Sequence, residues 1–300
     1  MPAGSTVLSP DRGMAAAAIE VVHPPVQTAA VVFASPHSGA NYPPEFIHAS
    51  RLDAVMLRRS EDSFVDEIFA AAPRYGAPLL KALFPRAYCD PNREAYELDQ
   101  AMFADPLPAY ANTTSARVAG GLGTIAKVVN TGAEIYRSKL TFAEAEERIE
   151  RCWRPYHDAL AGLIDTTRKR FGSVILIDCH SMPSVGGPMD RDPGHKRPDF
   201  VLGNHHGATC APKIIGTVES VLAGTGHHVA LNNPYAGAYT TQHYGRPEAG
   251  VHTLQIEVNR ALYMDEHRIQ RADGLKRIAA VATEMISALT ALDPAEFAPA

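Results

Sequence analysis

Short apolar runs rich in β-branched residues alternate along this chain with longer segments of helical period, and this alternation limits the possible folds more than any other feature. Ala29–Ala34 is wholly apolar and ends at Ser35-Pro36; Val174–Asp178 follows the glycine at position 172. Apolar runs of this length, without polar alternation, suit strands buried on both faces, as in parallel sheets. Further strands are expected at Leu79–Leu83, Arg86–Cys89, about 199–203, 228–232 and 252–258. Helices are expected at about 50–60, 61–72 and 211–223, and from Asp265 to Leu292. A longer one opens on the capping box Thr141-x-x-Glu144, carries apolar residues in steps of three and four from 142 to 167, and ends at Gly172, with a kink expected at Pro155. Strands alternating with long helices predict an α/β fold on a largely parallel, mixed sheet.

A chain of 300 residues with 46% apolar residues can bury a large core, and one large domain is expected over two. No repeat or linker divides it. Residues 1–24, rich in Ala, Pro, Ser and Gly, read as a loose tail, and 25–300 as a single catalytic domain. The formal charge is −5 and no block of Lys or Arg appears, which argues against nucleic acid as a partner. Met14–Ile19 is too short to span a membrane and lacks the flanks of a secretion signal. Four scattered cysteines without a C-x-x-C suit reduced thiols, so a cytoplasmic monomer or small homo-oligomer acting on a small molecule is expected.

Function in open α/β sheets gathers at strand ends. The first buried run leads into Ser35-Pro36-His37-Ser38-Gly39, the second into Asp178-Cys179-His180-Ser181. A single histidine there is more often a core or loop residue. Two in matched strand–His–Ser contexts favour a metal site, because histidine is the commonest side-chain metal ligand and a catalytic zinc takes three protein ligands plus water. The third ligand is expected to be a carboxylate: Asp62, Glu61 beside it, or Asp178, which could instead orient a histidine. In 252–258, Thr253, Gln255 and Glu257 share one strand face, and Glu257 is either a general base or a solvated edge carboxylate. Asp90-Pro91-Asn92-Arg93 suits a carboxylate clamp, against the alternative of a surface salt bridge. Gln242–Arg246 could line a pocket or form an ordinary turn. Ala119-Gly120-Gly121-Leu122-Gly123 lacks the Lys-Ser/Thr of a P-loop and reads as loop freedom, while His205-His206 and His227-His228 diverge and make poor joint ligands.

These residues resemble the N-formylglutamate amidohydrolases, a group similar in fold to zinc carboxypeptidases and aspartoacylases. The matching segments include SPHSG at 35–39, ED-x-x-x-D at 61–66, DPNR at 90–93, Tyr136-Arg137, WRPYH at 153–157, DCHS at 178–181, GNHHGATCAP at 203–212, HYGRP at 243–247 and LQIEVNRALYMDE at 254–266. The resemblance implies a phosphorylase/hydrolase-like α/β/α sandwich with one metal, Zn²⁺ or another divalent ion, on His37, Asp62 and His180. It implies Glu257 as base, Arg137 in catalysis, and Asn92, Arg93, His243, Tyr244 and Arg246 around the substrate. The implied reaction splits N-formyl-L-glutamate into formate and L-glutamate, late in histidine breakdown. A hydrolase of another acyl-amino acid or dipeptide is the alternative enzyme, and a non-catalytic binding protein the alternative of another class. The chain departs from the pattern at Ala40, where zinc carboxypeptidases carry the glutamate of His-x-x-Glu, and at Glu61-Asp62, where relatives often have Thr-Asp.

Overall fold

The structure, a computed structural model, describes residues 17–188 and 190–299. Seven strands form the central sheet: β1 (Ile19–Val22), β2 (Val31–Ser35), β3 (Leu79–Ala82), β4 (Val174–Met182), β5 (Phe200–Gly203), β6 (Val229–Leu231) and β7 (Val251–Asn259). Their order is β1-β3-β2-β4-β7-β5-β6. β3, β2, β4 and β7 run parallel, β1 pairs antiparallel with β3, and β5 and β6 run antiparallel to β7, so the sheet is mixed as expected. Strand β1 lies within the stretch expected as a tail. Its Ile19–Val22 run pairs with Leu79–Ala82, while residues 1–16 lie outside the described part.

Nine helices accompany the sheet among the described residues: α1 (Pro44–Ala49), α2 (Ala54–Arg58), α3 (Val65–Ile68), α4 (Ala116–Ala119), α5 (Phe142–Arg148), α6 (Arg154–Phe171), α7 (Pro212–Gly224), α8 (Tyr239–Tyr244) and α9 (Gly274–Thr290). Period-2 alternation sorts the strand side chains to two cores. Val31, Phe33, Ile177 and Leu254 pack with α7 and α9; Val32, Ala34 and Leu176 pack with Tyr156 and Leu160 of α6. The result is a three-layer α/β/α sandwich.

The elements that differ from expectation have local causes. The segment from 61 is not a helix, because Glu61 and Asp62 are buried and bonded to tertiary partners, and Phe64 takes a left-handed φ of 68° before the short α3. Arg86–Cys89 is a turn closed by Tyr88 N–H on the Pro85 carbonyl, not a strand. Before α9, residues 264–271 form a two-stranded hairpin, β8 (Met264–Asp265) and β9 (Gln270–Arg271). Asp265 Oδ1 there accepts the backbone N–H groups of His267 and Arg268, an alternative to helix that aspartate favours. The long helix after Thr141 keeps its capping box but widens to a π-turn at Ile149–Trp153 rather than simply kinking. Pro155 lacks an N–H and its ring would strike the preceding turn, so a wider turn just ahead of it relieves both defects.

From β2 the chain moves outward to β3 and then returns across β2 to β4. This topological switch opens a crevice at the carboxyl ends of β2 and β4. The loop after β2 is pressed onto the chain leaving β3 at Gly39, where a Cβ would lie 2.3 Å from the Phe84 carbonyl oxygen and 2.5 Å from the Leu83 carbonyl carbon. Backbone atoms cannot swing aside as a side chain can. Gly39→Ala is therefore expected to lower the unfolding free energy by about 1–3 kcal/mol. Denaturant titration checks this, and an unchanged midpoint would contradict the close approach.

Candidate metal centre

Each strand end contributes to one buried cluster. β2 delivers His37 two residues beyond Ser35. β4 outruns β2, whose last paired residues are Ala34 and Asp178, so His180 sits inside a strand rather than after one. In the β4–β7 register His180 pairs with Glu257, which puts both side chains on the α6 side of the sheet, the face that Leu176 packs. Asp62 arrives from the link between α2 and α3, where its N–H donates to the His37 carbonyl at 3.0 Å.

His37 Nδ1 and His180 Nδ1 lie 3.2 and 3.0 Å from the same oxygen, Asp62 Oδ2. The two rings are 4.8 Å apart at their centroids, and all three side chains are buried. Each ring's other nitrogen is held by a further carboxylate: His37 Nε2 by Asp90 Oδ1 at 2.7 Å, His180 Nε2 by Asp178 Oδ2 at 2.9 Å. An imidazole that donates from Nε2 to a carboxylate offers Nδ1 as its ligating atom, the usual outer support of a metal-bound histidine. Two nitrogens and one carboxylate oxygen, all within 4.8 Å of one another, form a group able to hold a metal ion. Three protein donors, and not four, are the ligand number of catalytic zinc sites.

The surrounding charges hold this arrangement. Asp62 Oδ1 accepts from Ser181 Oγ at 3.1 Å and from Arg260 Nη2 at 3.0 Å, and Arg260 Nε donates to Ser181. Burial alone would raise the Asp62 carboxyl, but its bonds to His180 and His37 keep it well below the usual range. Asp90 is also held low despite burial, by Arg86, Arg93 and His37. Burial opposes charge on His180, yet Asp178 and Asp62 hold it well above the ordinary histidine value. Glu257 differs: burial pushes it up to about 7, and Gln255 Nε2 donates to its Oε1 at 2.8 Å. It lines one cavity with Asp62, His180, Arg86, Arg93 and Arg117. Glu257 is thus a buried carboxylate beside the cluster, not a solvated edge residue.

Several expected residues play other parts. Glu61 accepts from Tyr42 Oη and Ser63 Oγ at 2.7 Å each and pairs with Arg58 at 2.9 Å, so it stands outside the metal-ligating group. Asp178 supports His180 from behind. Asn92 Oδ1 accepts Thr240 N–H at 2.8 Å, which turns its Nδ2 to Asp178 Oδ2 at 3.2 Å; Asn92 buttresses the histidine side of the site. Arg93 does reach the cavity. His243, Tyr244 and Arg246 do not line it. His243 stacks on Tyr239 with centroids 4.8 Å apart, and Arg246 Nη1 donates to the Gln242 carbonyl at 2.7 Å. Tyr244 Oη meets His157 Nδ1 at 2.8 Å. Burial drops His157 to about 4, so the neutral ring donates from Nε2 to the Pro91 carbonyl at 2.7 Å and accepts from Tyr244. Trp153 Nε1 donates to the Arg93 carbonyl at 2.9 Å. The WRPYH segment and Tyr244 therefore clamp residues 91–93 from outside.

Arg137 is the largest correction. Tyr136 bridges to Ser50, Arg137 N–H donates to the Ala49 carbonyl, and Arg137 Nε donates to the Ser50 carbonyl at 2.8 Å. These bonds aim it at a separate cavity lined by Arg51, Lys127 and Glu134. Arg86 and Arg260 were missed by sequence reasoning, although each had a signal: Arg86 precedes Asp90 by four residues, and Arg260 directly follows the strand bearing Glu257. Arg117, on the four-residue α4, had none.

Fold and site together describe an α/β protein with a group able to hold a metal ion, beside a buried carboxylate at the ends of its parallel strands. The chain belongs to the N-formylglutamate amidohydrolase family, whose sequence profile matches residues 29–264. It is 30% identical over 268 residues to the N-formylglutamate deformylase of Pseudomonas aeruginosa, covering 87% of this chain and 92% of that protein. The N-formylglutamate deformylase of Pseudomonas putida is 29% identical over 236 residues, 77% of this chain and 81% of that protein. The crystal structure of N-formylglutamate amidohydrolase from Ralstonia eutropha superposes with a TM-score of 0.83 at 36% identity, covering 90% of this chain and 96% of that one.

Removing the charge behind a ligating histidine without touching the histidine tests the geometry. Asp178→Asn is expected to weaken metal binding about 10- to 100-fold, as read by competition against a chromogenic chelator. Unaltered affinity would mean that His180 does not bind metal through the nitrogen opposite Asp178.

Proposed function

We propose that this protein hydrolyses N-formyl-L-glutamate to formate and L-glutamate, with a zinc ion held by His37, Asp62 and His180. The observation that carries this reading is the convergence of those three ligand atoms, two of whose residues, Asp62 and His180, line one arginine-lined cavity with Glu257. Relatives at 30% and 36% identity that bear the N-formylglutamate deformylase and amidohydrolase names support the substrate. The four cysteines are buried free thiols, which supports a cytoplasmic setting, and the reaction fits a late step of histidine breakdown.

When bound, the ion supplies Lewis acidity that polarises the formyl carbonyl and lowers the pKa of a water from ~15.7 towards about 7. The protein's own groups do the rest. Glu257 takes a proton on its carboxylate oxygen from the water that adds to the formyl carbon. It returns that proton to the amide nitrogen as the C–N bond breaks, and the second proton of the water passes from the new carboxyl to the released amine, so formate and an ammonium group leave. A carboxyl near 7 can serve in both directions, because it neither binds nor releases the proton too firmly. Gln255 fixes the carboxylate that does this. Arg86, bonded through Nη2 to the same Asp90 that supports His37, lines the cavity and receives the negative charge that develops on the carbonyl oxygen. Arg93 is held by the Leu122 and Asn92 carbonyls and takes the substrate α-carboxylate.

Glu257→Gln is expected to retain metal while kcat falls by about 10²- to 10⁴-fold; unchanged turnover would remove Glu257 as the base. Chelation should abolish hydrolysis and added zinc should restore it, with hydrolysis that survives chelation speaking against the metal. Arg93→Ala should weaken binding of carboxylate-bearing substrates by about 2–5 kcal/mol, mainly as a higher KM. An equal loss on an uncharged N-formyl amide would exclude the clamp.

A further inference from the structure

Four arginines and four carboxylates line the cavity, but they are not paired one to one, and the uneven pairing identifies a residue. Four arginines line it: Arg86, Arg93, Arg117 and Arg260. Arg86 is matched by Asp90 at 2.6 Å and Arg260 by Asp62 at 3.0 Å. The other lining acids are also engaged. Asp190 pairs with Arg197 at 2.7 Å, and Glu257 accepts from Gln255. Arg93 is left with two backbone carbonyls and a 3.7 Å approach to an Asp90 oxygen that Arg86 already occupies. Arg117 has no carboxylate partner among the described residues. Of the guanidinium groups lining the cavity, Arg93 thus shares Asp90 with Arg86, and Arg117 has no carboxylate of its own among the described residues. Burial first, and Arg117 among the neighbouring charges, lower Arg93 to about 10.

The glycine-rich stretch at 120–123 places them together. Gly121 adopts a φ of 71°, and the Leu122 N–H donates back to the Arg117 carbonyl at 2.8 Å. The Leu122 carbonyl accepts Arg93 Nε at 2.8 Å, so the turn that carries Arg117 is tied to Arg93 itself. Gly123 lies so close to Glu97 that a Cβ would sit 2.2 Å from its carbonyl oxygen, which fixes the turn against the body of the protein. The segment that looks like an incomplete phosphate loop is thus a mount for a cation.

We propose that Arg117 is a specificity-determining residue that binds the side-chain carboxylate of the substrate while Arg93 binds the α-carboxylate, so that the cavity selects N-acylated amino acids with a second acidic group. This deepens the functional reading above and rests on it. A dianion gives Arg93 and Arg117 a carboxylate each, whereas a monoanion leaves Arg117 without a carboxylate partner.

The test compares N-formyl-L-glutamate with its neutral isostere N-formyl-L-glutamine in the zinc-loaded wild type, Arg117→Ala and Arg117→Lys. Arg117 is exposed, so its truncation leaves the core untouched. Arg117→Ala should lower kcat/KM for the glutamate substrate about 10- to 50-fold, chiefly through KM, with the glutamine substrate nearly unaffected and Arg117→Lys in between. Equal losses on both substrates, or a glutamate preference that survives in Arg117→Ala, would overturn the proposal. A wild type that turns over neither substrate defeats the hydrolase reading instead. Binding of L-glutamate against L-glutamine, followed by calorimetry, then decides for Arg117: a preference for glutamate that Arg117→Ala abolishes supports it, and no preference refutes it.

Discussion

Everything else in the site is arranged around one oxygen, Oδ2 of Asp62, which two imidazole nitrogens share from two parallel strands and a connecting loop. A buried carboxylate is tolerated only when its charge is met, and Asp62 is met on both sides: histidines on one oxygen, Arg260 and Ser181 on the other. That network decides the local backbone. It stops a helix from continuing through 61–64, ties the loop after β2 to the link before α3, and brings the end of β7 to the end of β4 through Arg260. The outer carboxylates, Asp90 and Asp178, hold the Nε2 atoms of the two rings, so both Nδ1 atoms face Asp62.

The supporting structure is as specific as the cluster. The turn 90–93 carries the outer carboxylate of His37, the buttress of Asp178 and the buried cation Arg93 in four consecutive residues. It is held from outside by Trp153 and His157, which the π-turn and α6 present to it. The widened turn thus reconciles a proline with a helix and also aims the indole at the Arg93 backbone. Two carboxylates of the site are kept strongly acidic, Asp62 by its bonds to His180 and His37 and Asp90 chiefly by Arg86 and Arg93, while Glu257 is left basic by burial. One cavity in this way contains two carboxylates that stay charged and a third able to exchange a proton near neutrality.

Much of this could be read from the chain alone. The buried strands announced themselves as unbroken apolar runs, and the paired His-Ser sequences at two of their ends pointed to the histidines of the group able to hold a metal ion, because strand order and direction leave few ways to bring two such ends together. The alternation of Thr253, Gln255 and Glu257 placed Glu257 on the correct face. What escaped depends on tertiary contact. Nothing local tells that Arg137 faces away from the cavity: it follows an apolar stretch as Arg86 does, lacks only the i,i+4 aspartate that marks Arg86, and is turned away by the bridge of Tyr136 to Ser50. Tyr244 and Asn92 look like substrate contacts in sequence and prove to be braces, since a polar side chain near a site can serve either purpose. The last helix starts at Gly274 and not at Asp265, because the Asp265 side chain captures backbone N–H groups, a competition that hydrophobic period does not register.

The account's central claim is that His37, Asp62 and His180 share one ion. Anomalous diffraction at the zinc edge from zinc-loaded crystals tests it most directly. The account predicts a single strong peak about 2.0–2.2 Å from Nδ1 of both histidines and from an Asp62 oxygen. A peak elsewhere, or one that touches only one of the two histidines, would contradict it.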